Sequence, residues 1–137
     1  MKPKILGVLQ NIYNPYLAGK VQLKDIYILS EKTCNLQNAT YSRIKPIFYK
    51  SELYNSWLTE CSREYGKNHK QKFSTDHSHI ENVLNLMEWN KIICFGKQAE
   101  AALKKYQNHF NILNVPHPTS FQWRKTIIQQ IQNFIQK

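Results

Sequence analysis

The sequence predicts a three-layer α/β/α domain built on a short, mainly parallel sheet. Three observations predict it. Residues 5–9 are a continuous apolar run, and Ile92 to Phe95 is a second one after Lys91, the pattern of strands buried on both faces. The second run opens a strand, helix, strand, helix order, which implies parallel pairing with right-handed crossovers. The chain has 137 residues, the size of one ordinary domain, without an internal repeat or low-complexity linker to mark a second. Residues 1–137 are therefore expected to form a single domain.

Ile5-Leu6-Gly7-Val8-Leu9 is the first strand, and it stops at a polar, Pro-containing loop over residues 10–20. Asp25-Ile26-Tyr27-Ile28-Leu29 is a second strand candidate. Residues 30–42 are polar and loop-like, and residues 43–49 are ambiguous around Pro46. Ser51 can cap a helix to about residue 65, with Leu53, Trp57 and Leu58 on one face and Gly66 at its end. Ser74, Thr75 or Asp76 can cap the next helix, whose Ile80, Val83, Leu84 and Met87 follow helical spacing. Lys91 to Phe95 is a strand, Gly96 makes the turn, and residues 97–106 form an Ala-rich helix. Residues 110–115 are the last strand and Pro116-His117-Pro118 a stiff loop. Thr119 and Gln122 form a capping-box pair for a last helix carrying Trp123, Ile127, Ile128, Ile131 and Phe134 or Ile135 inward.

Charge is the first functional clue. Lys and Arg total 19 against 9 Asp and Glu, a formal net charge of +10. An excess this large on a small domain favours a polyanionic partner through phosphate neutralisation and counterion release. Cys34, Cys61 and Cys94 are too widely spaced for a disulfide framework or a zinc motif, which points to a reducing compartment and a cytoplasmic location. Neither a signal peptide nor a membrane-spanning apolar stretch is visible, so no membrane is expected. Asp76-His77-Ser78-His79 lacks a second ligand pair and reads as a helix start instead of a metal site.

In open parallel sheets, ligands bind beyond the carboxyl ends of the strands. Two loops leave such ends with polar groups. One is Gln10-Asn11-Ile12-Tyr13-Asn14-Pro15-Tyr16, and the other is Pro116-His117-Pro118-Thr119-Ser120-Phe121. Parallel strands would put Asn11 and His117 in one cleft. The segment Val115 to Ser120 resembles the His-Pro-Ser loop of the uracil-DNA glycosylase superfamily, which also lies between the last strand and the last helix. Ile92 to Ala99 resembles that family's apolar strand ending in Gly, two residues and Ala. Ile5 to Tyr13 is similar to its first strand and Gly-Gln-Asp-Pro-Tyr motif, with Gln10 and Tyr13 matching and Asn11 in place of Asp, as in the mismatch-specific branch. Ile12 departs from the motif's Pro, Asn14 offers a second register, and the family's base-stacking Phe and pyrimidine-reading Asn have no counterpart.

The resemblance implies a uracil-DNA glycosylase-like fold and a monofunctional DNA glycosylase, acting without cofactor or metal. It would leave an abasic site after flipping out uracil, mismatched thymine or a modified pyrimidine such as one in phage DNA. It implies His117 as donor to the developing negative charge on the base, and Asn11 as the residue that orients water. Gln10, Tyr13, Asn14 and Tyr16 would line the base pocket. Thr119, Ser120 and the start of the last helix would hold a phosphate through backbone N–H groups, with Lys97 and Gln98 as further phosphate contacts. Pro118 belongs to the same DNA-binding loop, and Phe121 or Gln122 would wedge into the gap left by the flipped base. The expected partner is DNA, met by a monomer with no obligate protein partner. A modified viral base as substrate would make the role antiviral defence instead of repair. Three rivals stay open: a catalytically inactive DNA-binding module of this fold, an enzyme acting on free nucleosides, and a protein-interaction domain with incidental charge.

Overall fold

The computed structural model describes residues 3–10, 26, 39–48, 55–62 and 74–136. In chain order the elements are β1 (Lys4–Leu9), α1 (Ala39–Phe48), β2 (Asn55–Glu60), α2 (His77–Leu86), β3 (Lys91–Phe95), α3 (Lys97–Leu103), β4 (Ile112–Val115) and α4 (Lys125–Gln136). A short 3-10 turn, Lys104–Tyr106, follows α3. The four strands form one all-parallel sheet in the order β2-β1-β3-β4. The mixed α/β class expected from the sequence is therefore present.

Strand alternation divides the core in two. Ile5 and Leu9 of β1, Ile93 and Phe95 of β3 and Val115 of β4 pack with Ile44 and Ile47 of α1 and Ile131 and Ile135 of α4. Leu6, Val8, Ile92 and Cys94 point the other way, into Ile80, Val83 and Leu84 of α2 and Ala99, Ala102 and Leu103 of α3. Each fully buried Leu or Ile contributes roughly 1.5–3 kcal/mol relative to exposure, so both clusters matter to stability. Both Trp89 and Cys94 are core residues, while Trp57 and Trp123 are half-buried against the two clusters. Burial pushes the Cys61 and Cys94 thiols up to about 12, which keeps both protonated and unreactive.

The largest departure from the sequence reading is the helix expected from Ser51 to about residue 65. Residues 55–60 are instead strand β2, paired with β1 from Lys4↔Asn55 to Leu9↔Glu60. The pairing needs a period of two, which sends Trp57 and Leu58 to opposite faces. Ser56, Thr59 and Glu60 are all buried, and Thr59 shares a 2.8 Å hydrogen bond with His79 Nε2. A strand in which Leu58 is the one described buried apolar residue beside three buried polar ones shows no apolar run to find. Helix α1 likewise occupies residues read as loop, 39–42, and as ambiguous, 43–48, with Pro46 inside it on the exposed side. The strand candidate over residues 25–29 lies outside the described residues except Ile26, which packs against the second cluster.

Helix α2 starts where the sequence places it. Of the three candidates, Asp76 is the N-cap, its carboxylate accepting from the His79 N–H at 3.0 Å. Asp76→Ala should lower stability by about 1 kcal/mol in a denaturant titration, with the fold unchanged by circular dichroism. An unchanged midpoint would mean that the cap contributes nothing. Helix α4 starts later than expected. Thr119 and Gln122 do not cap it, because residues 117–123 close into turns first and α4 begins at Lys125. Ser120 Oγ takes the Gln122 N–H at 3.1 Å, and the Ser120 carbonyl takes the Trp123 N–H at 3.0 Å. At its far end α4 is held by Lys91, whose Nζ donates to the Phe134 carbonyl and to the Ile135 carbonyl at 2.8 Å.

Candidate active site at the carboxyl edge of the sheet

From β1 the chain crosses to β2 on one side and later to β3 and β4 on the other. The order therefore reverses between β1 and β3, and the crevice outside their carboxyl ends is the position where such sheets bind ligands. Parallel pairing brings the ends of β1, β3 and β4 to this one edge. The backbone of Gln10, a half-buried residue, continues the sheet past β1 by accepting the Ser62 N–H at 3.0 Å. Asn11, Tyr13, Asn14 and Tyr16, the other candidates of that loop, lie outside the described residues.

The β4 end is described fully. Gly96 closes β3 with φ +93°, a backbone region that only glycine adopts without strain, and its N–H donates to Val115 O at 2.8 Å. Lacking a Cβ, it lets His117 pack directly above it: a Cβ built there would lie 3.2 Å from His117 Cβ. Gly96 and His117, read from separate motifs in the sequence, are thus in contact.

His117 is half-buried, and desolvation lowers its pKa from the ordinary 6.5, so the ring is neutral at pH 7. The Thr119 N–H donates to its Nδ1 at 3.2 Å, which makes Nδ1 an acceptor. A neutral ring with a bare Nδ1 carries its proton on Nε2. The Thr119 hydroxyl lies 2.8 Å from the same nitrogen. His117 is thereby set up as a neutral hydrogen-bond donor through Nε2.

The rest of the loop divides by burial. Pro118 is buried, so its ring shapes the turn. The N–H groups of Thr119 and Ser120 are engaged within the turn, by His117 Nδ1 and by the His117 carbonyl at 2.9 Å. They do not form the expected backbone phosphate cradle. Phe121 is 89% exposed, which is unusual for a side chain of its size, and Gln122 is exposed beside it. Lys97 is exposed, whereas Gln98 is half-buried and donates to Thr75 Oγ1 at 3.2 Å.

Two features were missed by the sequence reading. Arg43 of α1 donates from Nη1 to Pro118 O at 2.6 Å, tying helix and loop together. Glu60, wholly buried at the end of β2, places a carboxyl group close to the same edge. Nothing in a single sequence marks either: Arg43 sits in the stretch that is ambiguous around Pro46, and Glu60 in one read as helix. Among the described residues no helix is long and apolar enough to cross a membrane. Compared with known proteins, the chain matches no family model, no curated protein and no solved structure.

Proposed function

We propose that the protein is a monofunctional DNA glycosylase that hydrolyses the bond between a flipped-out pyrimidine and its sugar. The observation that carries this reading is His117, a neutral Nε2–H donor on a braced loop at the carboxyl edge of a parallel sheet. As the glycosidic bond breaks, its electron pair goes to the ring nitrogen of the base, and negative charge spreads onto the carbonyl oxygens of the base. A fixed, partly desolvated N–H donor stabilises that charge more than it stabilises the ground state. Water adds to the sugar carbon, and the proton it loses ends on the departing base anion through solvent, leaving an abasic site and the free neutral base. Asn11 has no usable proton affinity, so its part would be to orient that water through its carbonyl oxygen.

The surroundings support the same reading. Exposed Phe121 follows the His117 loop directly, as an apolar wedge for a vacated stack would. Arg124 and Lys125 are exposed next to it, and Lys97 lies at the start of α3, so cations are available for the strand backbone. The net charge of +10 suits the same partner. The substrate is proposed to be a modified or mismatched pyrimidine instead of plain uracil, because the family's base-reading residues have no counterpart here. On a modified viral base the enzyme would act in defence.

The test is a panel of labelled oligonucleotides carrying uracil, mismatched thymine and hydroxymethylated or glucosylated pyrimidines, each scored for alkali-sensitive cleavage. Cleavage at one modified or mismatched base is expected, with a KM that rises with salt as phosphate contacts are screened. Activity on uracil alone would overturn the substrate assignment. Binding without any cleavage would replace the enzyme with a DNA-binding module.

A further inference from the structure

We propose that Arg43 is a positioning residue that sets the tautomer of His117 through the single peptide unit joining Pro118 and Thr119. The carbonyl of that unit accepts from Arg43 Nη1 at 2.6 Å, and its N–H donates to His117 Nδ1 at 3.2 Å. A trans peptide is planar with C=O and N–H on opposite sides, so holding one end aims the other. A cation on the carbonyl also polarises the unit and makes its N–H a better donor.

The bond to Nδ1 is the one that decides the tautomer. The Thr119 hydroxyl, 2.8 Å from Nδ1, is indifferent, because it can donate to a bare nitrogen or accept from a protonated one. The backbone N–H can only donate, so it alone excludes a proton on Nδ1. At 3.2 Å that bond is long. What strengthens it is the guanidinium on the far side of the same peptide.

Arg43 is well placed for this. Its neighbour Ile44 is fully buried against Ile131 and Ile135, so the guanidinium rises from a fixed helix. Pro118 is buried too, and its carbonyl accepts without freedom to turn away. An element distant in sequence therefore adds its bracing to the turn bonds within the loop.

The tautomer assignment rests on these contacts, whereas its consequence for excision rests on the glycosylase reading. Imidazole nitrogen shifts of histidine-labelled protein at neutral pH report both ring nitrogens directly. The parent should show His117 with a bare Nδ1 and a protonated Nε2. Arg43→Ala should move the population toward a protonated Nδ1. Its kcat should fall about 10- to 100-fold with KM changed less than about twofold, as expected for a misaimed group. Arg43→Lys keeps a cationic donor and should restore most of both, and Arg43→Gln, a neutral donor, should restore less. Nitrogen shifts in Arg43→Ala that match the parent would overturn the proposal, as would a loss confined to KM. If the parent excises no base, the glycosylase reading falls, and the nitrogen shifts alone decide the role of Arg43.

Discussion

His117→Ala is expected to lower base excision by about 100- to 1,000-fold, the usual cost of removing one donor to a developing anion. DNA affinity should change by less than about twofold, because the proposed phosphate contacts are assigned to other residues. The loss should fall on kcat, since the hydrogen bond matters only as charge appears on the base. His117→Asn, which restores an N–H donor of different reach, should recover part of the rate. An alanine variant as active as the parent would remove His117 from the chemistry and leave the loop a structural turn. The pH profile gives an independent check. Burial lowers the His117 pKa below 6.5, so the folded state takes up this proton less readily than the unfolded chain. Its share of stability is complete above about 6.5 and is lost as pH falls below that value toward the folded pKa. Excision should follow the same group: unchanged as pH drops through 6.5, then falling once Nδ1 takes the proton and breaks its bond to the Thr119 N–H. A rate that starts to fall above 6.5 would assign the titration to another group.

Gly96→Ala should reduce stability and activity together. The backbone at φ +93° costs an L residue about 1–3 kcal/mol, which a denaturant titration will read. The added methyl would sit 3.2 Å from His117 Cβ, tighter than ordinary contact. The loop cannot retreat freely, because Arg43 holds it at Pro118 and its own turn bonds hold it at Ser120. The imidazole is the part left to move, and a displacement approaching 1 Å is enough for about a 100-fold loss of rate. Full activity at reduced stability would show that the strain is absorbed in the β3–α3 turn. Full activity with full stability would mean that His117 does not rest on Gly96.

The sequence made some of this legible and hid the rest, for physical reasons. β1 and β3 are buried on both faces and are apolar after their first residues, Lys4 and Lys91, so they stood out. The β4-to-α4 loop was visible because two prolines stiffen it and a strand precedes it. β2 was hidden because three of its four described buried positions, Ser56, Thr59 and Glu60, are polar, and polar groups inside a protein depend on partners. The Thr59 partner, His79, is on another element, so pairing that makes the strand acceptable appears only in three dimensions. Arg43 was hidden in the same way, since its acceptor lies 75 residues away. The late start of α4 follows from Ser120 spending its hydroxyl on Gln122, a local competition that the capping-box pattern does not display.

The central place of β1 carries a consequence for biosynthesis. Of the described strands, β1 is made first, and it pairs with two that are made later, β2 and then β3. Both pairings are parallel, so neither closes as a hairpin. The cover that β3, α2 and α3 give to Leu6 and Val8 is completed only after those elements have emerged. Slow assembly is expected from that order of strands, whatever the finished domain does.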